Sequence, residues 1–217
     1  MKIKIIKIFV ISLLMLCIGC GGDLSHENKK KLDEMFFTES DTIVKELPKD
    51  KNGEIIIDRM KNQRQAMAGV GPLENGFDSI KIRFWYLYDT MQIVEIENAN
   101  KKWSSSQYTI EFGYTERLDS IISYAKTVKH NNPKTGWENF IRKLFNANVL
   151  ILPSCESYYA HATDASMIEV EIATKHKYKI YRYSDPLHNK DFFGAKSMVE
   201  IMDLIEEEFD FKRIERF

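Results

Sequence analysis

Cys155, in the run Pro153-Ser154-Cys155-Glu156, is the side chain best suited by type to covalent chemistry. A nucleophilic thiol needs a base and a lowered pKa. His161 follows closely, with His176 and His188 further along. Such a pair would make a thiol-dependent hydrolase, with Cys155 as nucleophile and His161 as base. Yet no thiol-enzyme signature and no glycine-rich oxyanion loop surrounds the cysteine. A single thiol after an apolar run is ordinarily a small buried side chain. The structural role is the expected one, and no catalytic residue is assigned.

Paired carboxylates are the second possibility. Glu169 with Glu171, and Glu95 with Glu97, stand two apart in strand-like sequence. Each pair would share a face of its strand, about 7 Å apart, and glycosidases use two such acids. An outward acidic stripe beside Lys177 and Lys179 accounts for Glu169 and Glu171 equally well. Glu206-Glu207-Glu208 reads as a solvated helix face. For a metal, His161 and Asp164 are two ligands where zinc generally takes three or four. His26, His130, His176 and His188 fall in turns or a tether, so neither a metal nor a cofactor is expected. Trp85, Tyr86, Tyr88, Tyr108, Tyr114, Tyr181 and Tyr183 would bind a glycan or peptide if exposed together. As the interior of a small sheet they need no ligand.

The elements that must carry these residues follow from periodicity. Leu32 to Leu47 has weak helical spacing, Lys49 to Gly53 is a turn, and Ile55 to Ala68 is a helix stopped by Gly69. Ile80, Ile82, Phe84, Tyr86 and Tyr88 alternate with Lys81, Arg83, Trp85 and Leu87, which is strand spacing. Met91 to Glu97 and the stretch around Tyr108, Ile110, Phe112 and Tyr114 continue an antiparallel meander through a turn at Asn98 to Lys101. Leu118 to Val128 fits helix or strand, and its β-branched residues favour a fourth strand. Thr135 and Glu138 predict a capping box for a helix bearing Trp137, Phe140, Ile141, Leu144 and Phe145. Val149 to Leu152 is a buried run ended by Pro153. Met167 to Thr174 and Lys177 to Tyr183 form a second hairpin, and a last helix runs from Lys196 to Phe209. The expected fold is α+β: a curved antiparallel sheet, meander plus second hairpin, with helices packed on one face.

The opening residues bear on location. Lys2, Lys4 and Lys7 precede an apolar run too short to span a bilayer, and Gly19-Cys20 closes it in the layout of a secretory signal. Cys17-Ile18-Gly19-Cys20 resembles a bacterial lipobox, although Cys17 stands where leucine is usual. The resemblance implies cleavage before Cys20, diacylglycerol on its thiol and acylation of its amine. Several acyl chains at about 0.8 kcal/mol per methylene would hold a soluble domain firmly. Gly21, where aspartate would signal inner-membrane retention, directs the expectation to the outer membrane, on its periplasmic face or at the cell surface. Residues 1–19 are then the signal peptide, 20–31 the lipidated cysteine and tether, and 32–217 one globular domain.

Removing Lys2, Lys4 and Lys7 takes the formal net charge from −1 to about −4. With no basic stripe, nucleic acid is not an expected partner. Of the three cysteines only Cys155 would remain unmodified, so no internal disulfide is available.

The runs Pro133-Lys134-Thr135-Gly136-Trp137, Leu152-Pro153, Ile168-Glu169-Val170-Glu171, Tyr178-Lys179-Ile180-Tyr181-Arg182-Tyr183 and Glu207-Glu208-Phe209 carry a wider resemblance. The chain from Pro133 to Phe209 resembles an uncharacterised family of exported bacterial lipoproteins with a Pro-x-x-Gly-Trp helix start and a tyrosine-rich hairpin. Thr163-Asp164-Ala165-Ser166 replaces the Asp-Gly turn common in that family. The resemblance implies location and architecture and brings no activity. Together these readings point to a membrane-anchored, non-enzymatic binding or assembly module for a peptide, glycan or envelope protein. The hydrolase using Cys155 and His161 is the alternative.

Overall fold

The computed structural model describes residues 42–50, 52–56, 58, 60–88, 90–114, 121–154, 167–190 and 193–213. They form seven strands and three helices. The strands are β1 (Val44–Glu46), β2 (Ile80–Leu87), β3 (Met91–Ala99), β4 (Lys102–Tyr114), β5 (Ile121–Lys129), β6 (Met167–Thr174) and β7 (Lys177–Ser184). The helices are α1 (Lys61–Ala68), α2 (Trp137–Asn146) and α3 (Phe193–Phe209). One open sheet runs in the order β1-β7-β6-β2-β3-β4-β5, antiparallel throughout except for the parallel β1–β7 pair at its edge. This is the α+β fold that the periodicity predicts.

The meander closes through a two-residue turn in which Asn100 and Lys101 both have positive φ, 52° and 64°. That handedness matches the twist of paired strands. The ambiguous stretch is a strand, β5, from Ile121 onward, while Leu118 lies outside the described residues. The helix expected over Leu32 to Leu47 is replaced at its end by β1, and its earlier residues lie outside the described ones. The helix expected from Ile55 begins only at Lys61. Ile55 instead bridges Lys49 across a turn in which the Asp50 carboxylate accepts from the Asn52 and Glu54 N–H groups.

The predicted capping box at Thr135 and Glu138 does not form. Gly136 is the N-cap residue of α2, with φ 83°. The Thr135 N–H and hydroxyl both donate to Glu208 on α3, at 2.9 and 2.7 Å. Lys143 reaches the same carboxylate at 2.9 Å, so Glu208 is buried and belongs to no solvated stripe. A long-range charged acceptor has displaced a local one.

The main core lies between one sheet face and the helices α2 and α3. Ile80, Ile82, Phe84 and Tyr86 of β2 meet Phe140 and Leu144 of α2 and Met198, Ile201, Met202 and Ile205 of α3. Each such side chain contributes about 1.5–3 kcal/mol on burial. The tyrosine hairpin clamps the run before Pro153: Tyr181 donates to the Val149 carbonyl and Tyr183 to the Pro153 carbonyl, at 2.9 and 2.7 Å. Trp85, Tyr86, Tyr181 and Tyr183 are buried and Tyr88 and Tyr108 half-buried, so these aromatics are interior and form no exposed platform. The short α1 and the loop after it cover part of the opposite face.

Candidate functional site

On that second face the strand registers align charges. Arg83 lies opposite Glu95 on one side and Glu171 on the other, and Glu169 lies opposite Arg182. Arg83 donates through Nε to Glu95 Oε2 at 2.7 Å, through Nη1 to Glu171 Oε2 at 3.2 Å and through Nη2 to the Gly71 carbonyl at 3.0 Å. Trp85 Nε1 donates to Glu171 Oε2, and Tyr178 Oη to Glu171 Oε1, each at 2.7 Å. Glu169 holds Arg182 Nε at 2.5 Å, and Arg182 reaches on to Asp58 at 2.9 Å.

The α1 helix docks on this layer with cations. Lys61 lies 2.8 Å from Glu171, and Arg64 pairs with Asp58 and, at 3.5 Å, with Glu169. Ala68 and Val70 add apolar contact against Trp85, Met91, Ile93 and Ile110. The helix ends in a left-handed Gly69 (φ 65°, ψ 34°) whose N–H returns to the Ala66 carbonyl. Lys126 of β5 donates to the freed Ala68 carbonyl at 2.8 Å, a cation at the negative end of the helix.

Glu169 and Glu171 are therefore not an outward stripe beside Lys177 and Lys179. Both are completely buried, while Lys177 and Lys179 pair with Glu46 of β1 at the sheet edge. Burial would push both carboxyls up. In Glu171 the cations Lys61 and Arg83 and the Trp85 hydrogen bond win, and the group is held below its ordinary value. In Glu169 burial prevails over Arg182 and Arg64, with Glu171 adding repulsion, and the group is held above it. Environments that separate two carboxyls are a mark of acid–base pairs, but a pair sealed from solvent cannot meet a substrate.

The open part of this face lies beside the ion layer. The segment from Gly69 to Phe77 forms the wall of a cleft of about 250 Å³ whose floor is Lys81, Arg83, Glu95 and Tyr108. Lys81 pairs with Glu95 at 3.2 Å and Glu97 at 2.6 Å, and its ammonium lies 4.7 Å from the centre of the Phe77 ring. Burial, then the charge of Glu95, raises the Tyr108 phenol above its ordinary value, so its hydroxyl stays neutral. Arg83 joins the two regions: one guanidinium holds the cleft wall, the cleft floor and the sealed Glu171.

Among the described residues no three metal-ligating side chains converge, and no helix is long and apolar enough to cross a membrane. His130 bonds Ser106, and the exposed His188 bonds Asp185. Cys20, His26, Tyr114's side chain, Cys155, His161 and Asp164 lie outside the described residues, and with them the lipidation site and the Cys155–His161 pair. Arg83, Arg182 and the α1 cations carry the site, and sequence reasoning assigned them no role; Trp85, expected among possible ligand-binding aromatics, is instead a buried donor to Glu171. One signal was present: the supposedly outer positions of these strands include Trp85, Leu87, Ile93 and Ile180, too apolar for a face left in water.

Comparison with protein-family models, with curated proteins and with solved structures finds no match to this chain.

Proposed function

We propose that the chain is a lipoprotein held through Cys20 at the outer membrane, and that its domain is a non-enzymatic binding module. The observation that supports the binding role is the cleft between the Gly69–Phe77 segment and the strands β2, β3 and β4. Its floor presents the half-buried Lys81 and Tyr108, with Lys81 already paired to Glu95 and Glu97, beside the buried Arg83. Such groups are fixed in direction before a ligand arrives, which lowers the ordering cost of binding. They carry no nucleophile and no base free to take a proton.

The support for the anchor is the arrangement of Lys2, Lys4, Lys7, the apolar run and Gly19-Cys20. Intact-mass analysis of the protein from a didermic bacterial host tests it. The expected product starts at Cys20 and carries diacylglycerol and an amide-linked acyl chain, and Cys20→Ser leaves the outer-membrane fraction. A bare amino terminus at any residue would end the anchor reading.

A further inference from the structure

The cleft's residual hydrogen-bonding capacity points to the class of its ligand. We infer that it takes a neutral polyhydroxylated group, one saccharide ring at a time. This inference rests on the reading of the domain as a binding module.

Charge is the first argument. The cations Lys81 and Arg83 are matched by Glu95 and Glu97 within 3.2 Å. An anionic ligand would meet cations whose charge Glu95 and Glu97 already neutralise, and a cationic one would meet carboxylates that Lys81 and Arg83 already neutralise. Either would bring an unmatched charge into a partly desolvated cleft, which is unfavourable. The floor therefore selects against net charge.

Valence is the second. Lys81 has three N–H donors, of which two are directed at Glu95 and Glu97. Arg83, engaged through all three nitrogens and 1% exposed, braces the floor from beneath and offers a ligand nothing. Glu95 Oε2 is taken by Arg83, while Oε1 holds only Lys81 and can accept another donor. The Tyr108 hydroxyl, hydrogen-bonded to Ser106, keeps capacity for one more partner. What remains is single donors beside single acceptors over a short span. A row of hydroxyls, each donating once and accepting, satisfies both kinds together.

Shape is the third. Gly69 and Gly71 leave stretches of the wall's backbone bare, while Pro72 and Phe77 give it apolar patches. A sugar ring presents hydroxyls at its rim and C–H groups on its face, and so matches both. The volume is below the roughly 300–1,000 Å³ of drug-sized pockets, which fits one ring and not a folded peptide.

Gly71 supplies the decisive variant. A Cβ built there meets nothing within 4 Å, and its φ lies outside the left-handed range, so a side chain at Gly71 starts in open space and Gly71→Leu adds bulk to the cleft wall. The acylated protein, in a detergent free of sugar headgroups, is titrated with N-acetylglucosamine and its β-1,4 disaccharide, with glucuronate as the anionic probe and glucosamine as the cationic one. Amide resonances of the Gly69–Phe77 segment are followed. The neutral sugars are expected to shift these amides in a saturable way, more tightly than either charged probe. Gly71→Leu should weaken binding at least tenfold at unchanged melting temperature, and Tyr108→Phe about three- to tenfold. Preference for a charged probe would overturn the ligand class while leaving a binding cleft in place. Silence of these amides to every probe, or neutral-sugar binding indifferent to Gly71→Leu, would overturn the assignment itself, whereas the anchor stands or falls separately on the mass of Cys20.

Discussion

Trp85 and Glu171 meet across the β2–β6 pairing through a 2.7 Å bond from indole Nε1 to carboxylate Oε2, with both side chains wholly withdrawn from solvent. The same carboxylate faces Arg83 and Lys61. Glu171→Gln preserves shape but leaves two cations short of their counter-charge, and should cost about 3–5 kcal/mol in urea unfolding. Trp85→Phe removes one hydrogen bond to a charged group and should cost less, about 1.5–3 kcal/mol with little loss of packing. Equal costs for the two substitutions would show that the ion pairs add nothing.

Acid should act on Glu169 and Glu171 in opposite directions. Glu171 is held below its ordinary 4.5 when folded, as Asp58 is below 3.8. Their stabilising contributions are present above those ordinary values and lost as pH falls through the folded ones. Glu169 is held above 4.5, so its contribution is complete below 4.5 and is lost as pH rises through its folded value. Unfolding free energy measured from pH 7 down to pH 3 should fall less steeply in Glu171→Gln than in the unaltered protein, and more steeply in Glu169→Gln. The reverse order would refute the assignment of environments.

Gly194 at the start of α3 has no room for a side chain. An added Cβ would collide with Tyr183 Oη, the hydroxyl that donates to the Pro153 carbonyl. Gly194→Ala should destabilise by about 1–3 kcal/mol through overpacking. In the background of Tyr183→Phe, where that oxygen is gone, the same substitution should cost clearly less, a coupling that a double-mutant cycle measures.

The end of α1 should discriminate between small residues. At φ 65° Gly69→Ala carries left-handed strain of about 1–2 kcal/mol, and its Cβ would meet Lys126 Nζ at 2.8 Å, a flexible tip that can move aside. Gly69→Asn should be milder, because asparagine tolerates that backbone. Lys126→Met should lose about 0.3–1 kcal/mol with the charge over the Ala68 carbonyl. Thermal unfolding of the three variants checks the order.

Local signals carried the strands and the ends of helices. Ile80 to Tyr86 alternate in sequence and alternate in space, and Gly69 stops a helix for the backbone reason that glycine usually does. The site was hidden because its partners are distant in the chain. That Arg83 faces Glu171 depends on which strands become neighbours and in what register, and neither residue's own surroundings encode that. The same limit explains Thr135. Its local partner Glu138 was visible, whereas Glu208 came into reach only when α3 packed beside α2. Where a choice was local, as at the Asn100-Lys101 turn, composition was enough.

Spatial order and chain order also diverge in a way that matters during biosynthesis. The ribosome delivers β2, β3, β4 and β5 as neighbours, yet the strand that covers β2 on its other side is β6, which emerges much later. Until Met167 to Thr174 is made, the nascent meander offers the β2 edge, with Phe84 and Trp85 uncovered, to any strand it encounters. Unpaired edges of this kind invite aggregation, so the newborn chain is at its most vulnerable between completion of β5 and arrival of the last hairpin, and a holding chaperone would have most to protect in that interval.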